Sequence, residues 1–146
     1  MIDKSWIGYE IGHSTIEIER GRLLAFARAI GEVDPVYTDV GAAQAAGYAD
    51  LPVPPTFLFA AEMDSDTTGA MLDAMGIPLA RLLHGEQGFI YQRPVCAGET
   101  ITVTSRVTDV YDKKGGALEF VEKVSEARNA AGELVAELRA VLVVRN

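Results

Sequence analysis

In the stretch "GEVDPVYTDVGAA", residues 31–43, Glu32 and Tyr37 stand five residues apart, with Asp34 and Pro35 between them. Both side chains can exchange a proton, so the pair points to general acid–base chemistry. They are unequally suited to it. A proton-transfer group works best with a pKa near the working pH, and a phenol at ~10 lies far from it. As a base, Tyr37 demands a strong environmental push; as a hydrogen-bond donor or a wall of a pocket it needs none. It reads equally as a half-buried aromatic with a satisfied hydroxyl. Glu32 is either a site acid or a solvated residue just beyond a helix end. Asp34 before Pro35 also reads as a turn former, because the aspartate caps the turn and the proline fixes φ. Asp39 can cap the helical turn that follows it. His84 is the imidazole nearest a plausible pocket, and the backbone amide of Gly85 beside it can approach a carbonyl; the competing reading is a structural or surface histidine. His13 is expected in a loop before a strand. Cys96 is expected in a turn as a passive thiol.

Positioning these residues requires a framework. "STIEIERGRLLAFARAIGE" opens with a short alternating piece, after which Leu23, Leu24, Phe26, Ala27 and Ile30 recur near helical spacing with Arg22 and Arg28 opposite. Gly31 can end this helix, since glycine takes the left-handed C-terminal turn without a Cβ clash. "DVGAAQAAGYADLPVPP" reads as a short helical turn, a glycine and a proline-rich loop. "TFLFAAEMDSDTTGAMLDAMGIP" is predicted to be a helix capped by Thr56, its first part buried through Phe57, Phe59, Ala60, Ala61 and Met63. "PLARLLHGEQ" offers one more helical turn, and strand character takes over after Gly85.

"ETITVTSRVTDV" alternates strictly, with Ile101, Val103, Ser105 and Val107 on one face. Turns at 113–116 and 130–132 flank "ALEFVEKVSEARNA". "ELVAELRAVLVV" favours helix on propensity, yet Leu134, Ala136, Leu138, Ala140, Leu142 and Val144 hold period two, and the strand reading is adopted. Helices first and a long antiparallel sheet after them make an α+β fold with the sheet packed on a buried helix.

The chain of 146 residues is expected to form one domain over 1–146. Its net charge of −8, from 13 basic and 21 acidic residues, argues against a nucleic-acid footprint, which needs a basic stripe. No apolar run approaches the ~18 residues of a membrane span. The opening "MIDKSWIGYEIG" lacks the basic start and apolar stretch of a signal peptide. One cysteine and two histidines without zinc spacing leave no disulfide framework, no metal site and no expected cofactor. A cytoplasmic location is the expectation.

Three stretches in order resemble the MaoC-like hydratase and dehydratase family of hot-dog folds, over nearly the whole chain. Gly31, Pro35, Val36 and Ala43 fit that family's Gly-Asp-x-Asn-Pro-aliphatic-His run, with Asp34 in place of the asparagine. "GYADLPVPPTFL" falls where members have a loop leading to the central helix, and "YQRPVCAGETITVTSRVTDV" resembles their long strand region. Catalytic members carry an aspartate and a histidine where this chain has Glu32 and Tyr37. The pattern Glu32, Asp34, Pro35, Tyr37, Asp39, followed by "LHGEQ" from Leu83 to Gln87, is instead similar to the N-terminal, substrate-binding type of (3R)-hydroxyacyl-thioester dehydratase.

The resemblance implies an antiparallel sheet wrapped around a central helix, an acyl thioester on CoA or ACP as substrate, and at least a dimer with acyl sites at its interface. It makes Glu32, Tyr37 and His84 the candidate catalytic residues. Asp34, Pro55, Thr56, Phe57 and Gly85 are the candidate substrate contacts.

Glu32 can replace an aspartate chemically, but its extra methylene displaces the carboxylate, and misplacement on the ångström scale can cost ~100-fold. The leading expectation is therefore a substrate-binding subunit, homodimeric or heterodimeric with a catalytic hot-dog chain. A second reading is a self-sufficient enzyme: a hydratase using Glu32 and His84, or a thioesterase using Glu62 or Asp64, with Glu62 otherwise an ordinary helix-surface acid. A third is a non-enzymatic acyl-CoA binder, for which Arg81, Arg93, Lys113 and Lys114 offer phosphate contacts.

Overall fold

The computed structural model describes residues 1–146. Alternation builds the sheet as expected. Strands β3 (Thr100–Lys113), β4 (Leu118–Asn129) and β5 (Leu134–Arg145) are long and antiparallel, and the two turns joining them fall at the predicted places. Ile101, Val103, Ser105 and Val107 are buried on one face of β3, and Ala136, Leu138, Ala140, Leu142 and Val144 do the same on β5. Period two thus overrides the helical propensity of residues 134–144, because a buried apolar face outweighs a propensity difference of at most ~0.7 kcal/mol per residue. On the outside, β1 (Glu10–Glu17) pairs with β3 and β2 (Leu82–Tyr91) pairs with β5, so the order is β1-β3-β4-β5-β2.

Four helices accompany the sheet: α1 (Arg20–Ala29), α2 (Val40–Ala45), α3 (Phe59–Met63) and α4 (Thr67–Ala74). Leu23 of α1, Phe57, Leu58 and Ala61 pack with Ile101, Val103, Val135 and Leu138 in the larger core cluster. Met71, Leu72 and Ile77 pack with Val107, Val121, Leu142 and Val144 in the other. Helix α1 ends where the sequence indicates. Gly31 adopts φ 71°, its N–H donates to the Arg28 carbonyl, and the Glu32 N–H donates to the Ala27 carbonyl at 2.9 Å.

Four expectations need correction. The central helix starts at Phe59 rather than at Thr56, with Leu58 in the capping place and no side-chain cap. It is also broken after Met63. There the Ser65 hydroxyl donates to the Glu62 carbonyl, and Asp64 turns out to meet Arg22 at 2.5 Å. Side chains that hydrogen-bond the nearby backbone compete with helix continuation. Strand β2 begins at Leu82, not after Gly85, and His13 lies inside β1 rather than in a loop.

Gly85 has a structural task of its own. The β2–β5 register slips between His84 and Glu86, a bulge centred on this glycine. A Cβ built there would stand 2.8 Å from Val143 Cγ2 and 3.1 Å from the Val141 carbonyl oxygen. Gly85→Ala is expected to destabilise the chain by about 1–3 kcal/mol. A urea midpoint lowered at constant slope is the predicted result, and an unchanged midpoint contradicts it.

Candidate functional site

The stretch from Gly31 to Tyr37 is a tight structure made mainly by its own side chains. The Glu32 carboxylate turns back and accepts from the N–H groups of Val33 and Asp34, both at 2.9 Å. Asp34 caps the short 3-10 turn Pro35–Tyr37 by accepting from the Val36 N–H at 3.0 Å. Asp39 caps α2 through the Ala42 N–H at 2.7 Å. Each acid of the motif is thereby engaged on local backbone.

Tyr37 leaves this turn toward a cleft of about 360 Å³ that it lines with Tyr48, Val53, Pro55, Tyr91 and Arg93. The Tyr91 hydroxyl donates to the Pro55 carbonyl at 2.9 Å, which holds the loop entering the central helix against β2. Burial, the neighbouring Tyr48 and the Glu32 and Asp34 carboxylates push the Tyr37 phenol above the ordinary tyrosine range. Burial and Tyr37 push Tyr91 well above it. Both phenols hold their protons more firmly than free tyrosine, so they can donate or accept hydrogen bonds but make poor bases near neutral pH.

A second cavity, of about 530 Å³, lies between the broken central helix and the sheet. His84 lines it, its ring edge-on to Phe59 at 5.3 Å between centroids. Glu62 and Lys123 line it too, and they form an ion pair of 2.6 Å with both side chains 3% exposed. The sequence reading of Glu62 as a helix-surface acid is thus corrected: α3 turns this residue toward β4. Ser125 donates to the other Glu62 oxygen and also meets Ser105 at 2.7 Å, while Lys123 reaches Thr68 Oγ1 at 3.4 Å.

The candidate residues therefore separate. Tyr37 and Pro55 share the first cleft, flanked by Glu32 and Asp34, whereas His84 lines the second cavity, which Glu32 does not. Phe57 lines neither; it is 1% exposed in the core, edge-on to Phe26. Thr56 is exposed and its carbonyl accepts from the Phe59 N–H, and Gly85 abuts β5. Cys96 is buried, and burial raises its thiol pKa. Arg81 bonds the C-terminal residues, Arg93 pairs with Glu133, and Lys113 covers the stacked Tyr111 and Phe120 rings. Tyr48, Tyr91 and the Glu62–Lys123 pair escaped the sequence reading. The one signal for Lys123 was its place in the inward phase of β4, between Val121 and Ser125.

With this geometry in hand, the relatives are informative. Residues 5–138 match the family model described as the FAS1-like dehydratase domain region. The chain belongs to that family. This dehydratase-family chain is 37% identical over 145 residues to a UPF0336 protein of Streptomyces avermitilis, covering 99% of this chain and 95% of that one. It is 38% identical over 128 residues to a UPF0336 protein of Clavibacter michiganensis, covering 88% and 85%. Its fold is the MaoC-like hot dog. The HadBC (3R-hydroxyacyl-ACP dehydratase) complex from Mycobacterium tuberculosis aligns with TM-score 0.80 at 22% identity, over 94% of this chain and 96% of that one. The (R)-hydratase PhaJ1 from Pseudomonas aeruginosa aligns with TM-score 0.70 at 20% identity, over 96% and 82%. No helix is long and apolar enough to cross a membrane.

Two outcomes follow from the site. Lys123→Met leaves the Glu62 carboxylate buried without its cation and is expected to cost about 3–5 kcal/mol of stability. Adding Glu62→Gln removes the stranded charge and should restore much of that loss in thermal or urea unfolding; a double variant no better than the single contradicts the pairing. Tyr91 gives a pH signature. Its folded pKa is raised, so its contribution is complete below the unfolded value of ~10 and is lost as pH rises through the folded one. In an alkaline absorbance titration the last phenol to ionise should vanish in Tyr91→Phe.

Proposed function

We propose that this chain is the acyl-thioester-binding subunit of a hydratase or dehydratase, holding 2-enoyl or 3-hydroxyacyl groups carried on CoA or ACP. A second hot-dog chain bearing an aspartate and a histidine supplies the proton transfers. The observation that carries this reading is the state of the signature pair. Glu32 spends its carboxylate on the N–H groups of Val33 and Asp34, and Tyr37 keeps its proton beyond the ordinary tyrosine range. Hydration needs a base to activate water at C3 and an acid at C2, each titrating near the working pH. Tyr37 does not meet that demand, the Glu32 carboxylate is engaged on local backbone, and His84 belongs to a different cavity from Glu32.

Asp34 and Pro55 fit this reading as parts of the frame that shapes the cleft, and Tyr37 as a wall and hydrogen-bond donor in it. The outer edge of β2 supports an assembly. This strand lies at the end of the sheet, is largely exposed, and presents Leu83 and Ile90 to solvent. An open edge with apolar side chains is a ready surface for pairing. The similar HadBC structure is itself a complex. An identical copy carries Glu32 and Tyr37 at the signature positions, so the second chain must be a different one, and the reading requires at least a heterodimer, working in the cytoplasm.

The test is direct. The purified chain, shown to be folded, is mixed with crotonyl-CoA and the enoyl-thioester absorbance is followed. No loss above background is expected. Steady hydration by the chain alone, abolished by Glu32→Gln or His84→Ala, overturns the reading in favour of a self-sufficient enzyme.

A further inference from the structure

The Glu62–Lys123 pair plays no part in the proton transfers just discussed, yet it lines the larger cavity. Its apolar walls are Phe59, Met63, Leu72, Leu79, Leu82 and Leu142, and polar side chains, Thr68 and His84 among them, complete the lining. A buried charged pair in such a wall is an expensive arrangement, since both ions lose hydration. The carboxylate is satisfied, one oxygen by Lys123 and the other by Ser125. The ammonium is not. It has three donors, and the structure partners two of them, with Glu62 at 2.6 Å and Thr68 at 3.4 Å.

An unfilled donor in a cavity wall selects for an acceptor. The local charge says which kind. Glu62 already neutralises Lys123, Asp64 lines the cavity paired with Arg22, and Asp66 lines it too. A second carboxylate or a phosphate would find both of these cations already matched by an acid, with Asp66 beside them. A neutral oxygen, hydroxyl or carbonyl, suits the site, attached to an apolar body that fills the walls. Cavities of a few hundred cubic ångströms with convergent polar groups are typical of small-ligand sites.

We infer that this cavity receives the distal part of the acyl chain, and that Lys123, held in place by Glu62, selects chains carrying a neutral oxygen function there over plain alkyl chains. The inference rests on the acyl-thioester reading for the identity of the ligand. The discrimination follows from burial. An alkyl chain covers the remaining Lys123 donor without replacing its bond to water, whereas a hydroxylated chain restores it. Sites that hydrogen-bond a ligand hydroxyl reject the analogue lacking it far more strongly than apolar pockets reject a missing methylene. Lys123 acts here as a specificity residue and makes no bond in the reaction.

The experiment titrates the protein calorimetrically with octanoyl-, decanoyl- and dodecanoyl-CoA and with the ω-hydroxylated form of each. At one of these lengths the hydroxylated chain is expected to bind at least ~10-fold tighter, the effect of one satisfied buried donor. The preference should disappear in the Glu62→Gln/Lys123→Met double variant, which leaves no buried charge unpaired. It should also disappear in Leu79→Trp, which plugs the cavity from a position 75% exposed and so leaves the core intact. Equal affinity of plain and hydroxylated chains at every length, or a preference that survives the double variant, overturns the inference while leaving the thioester reading standing. No binding of any of these acyl groups, whether presented on CoA or on ACP, removes the thioester reading, and the inference with it.

Discussion

One buried contact ties the two layers of this molecule together. Glu62, on the first half of the broken central helix, meets Lys123 on the middle strand of the sheet, with Ser125 and Ser105 extending the polar chain across β4 and β3. Apolar packing supplies the bulk of the stability, but it is non-directional. The ion pair fixes which turn of the helix faces which strand, because any slide or rotation strands a charge in the interior. The two core clusters lie on either side of this constraint. Leu58 and Ala61 pack toward β3 and the start of β5, while Met71 and Leu72 pack toward Val121 and the end of β5.

On the reading proposed above, that arrangement lets the frame of the cleft persist with Glu32 and Tyr37 at the signature positions. The cleft around Tyr37 depends on the loop that enters the central helix, and the loop is held by the Tyr91 hydroxyl on the Pro55 carbonyl. The turn beneath it is self-supporting, with Gly31 turning the chain, Glu32 and Asp34 capping backbone N–H groups, and Pro35 fixing the entry to Tyr37. None of these bonds requires a catalytic side chain. A glutamate and a tyrosine therefore occupy the signature positions while the surrounding backbone is maintained by other groups.

The sheet was legible because alternation is a local property. Ile101, Val103 and Val107 on β3, and Leu138, Leu142 and Val144 on β5, show their inward phase without any knowledge of partners. The end of α1 was legible for the same reason, since Gly31 answers to its own φ. The central helix was less so. Its break at Asp64 depends in part on Arg22, which lies 42 positions earlier in the chain. Glu62 was misread because its partner is 61 positions away. The phase of β4 does place Lys123 inward with Val121 and Ala127, but no local pattern names the acid that neutralises it. Likewise, His84 lies within β2 because that strand begins at Leu82, and propensity around "LLHGEQ" does not reveal that.

The central claim is that the chain contributes a binding frame and receives its acid–base groups from another subunit. The most direct measurement is enoyl-CoA hydration at a fixed amount of a hot-dog subunit carrying the aspartate and histidine, while this chain is titrated in. The account predicts a rate that rises with added chain and levels off at a fixed subunit ratio, with co-elution of the two proteins on a sizing column. A rate that stays at the value of the catalytic subunit alone across the titration, or one that grows without limit in proportion to this chain, contradicts it.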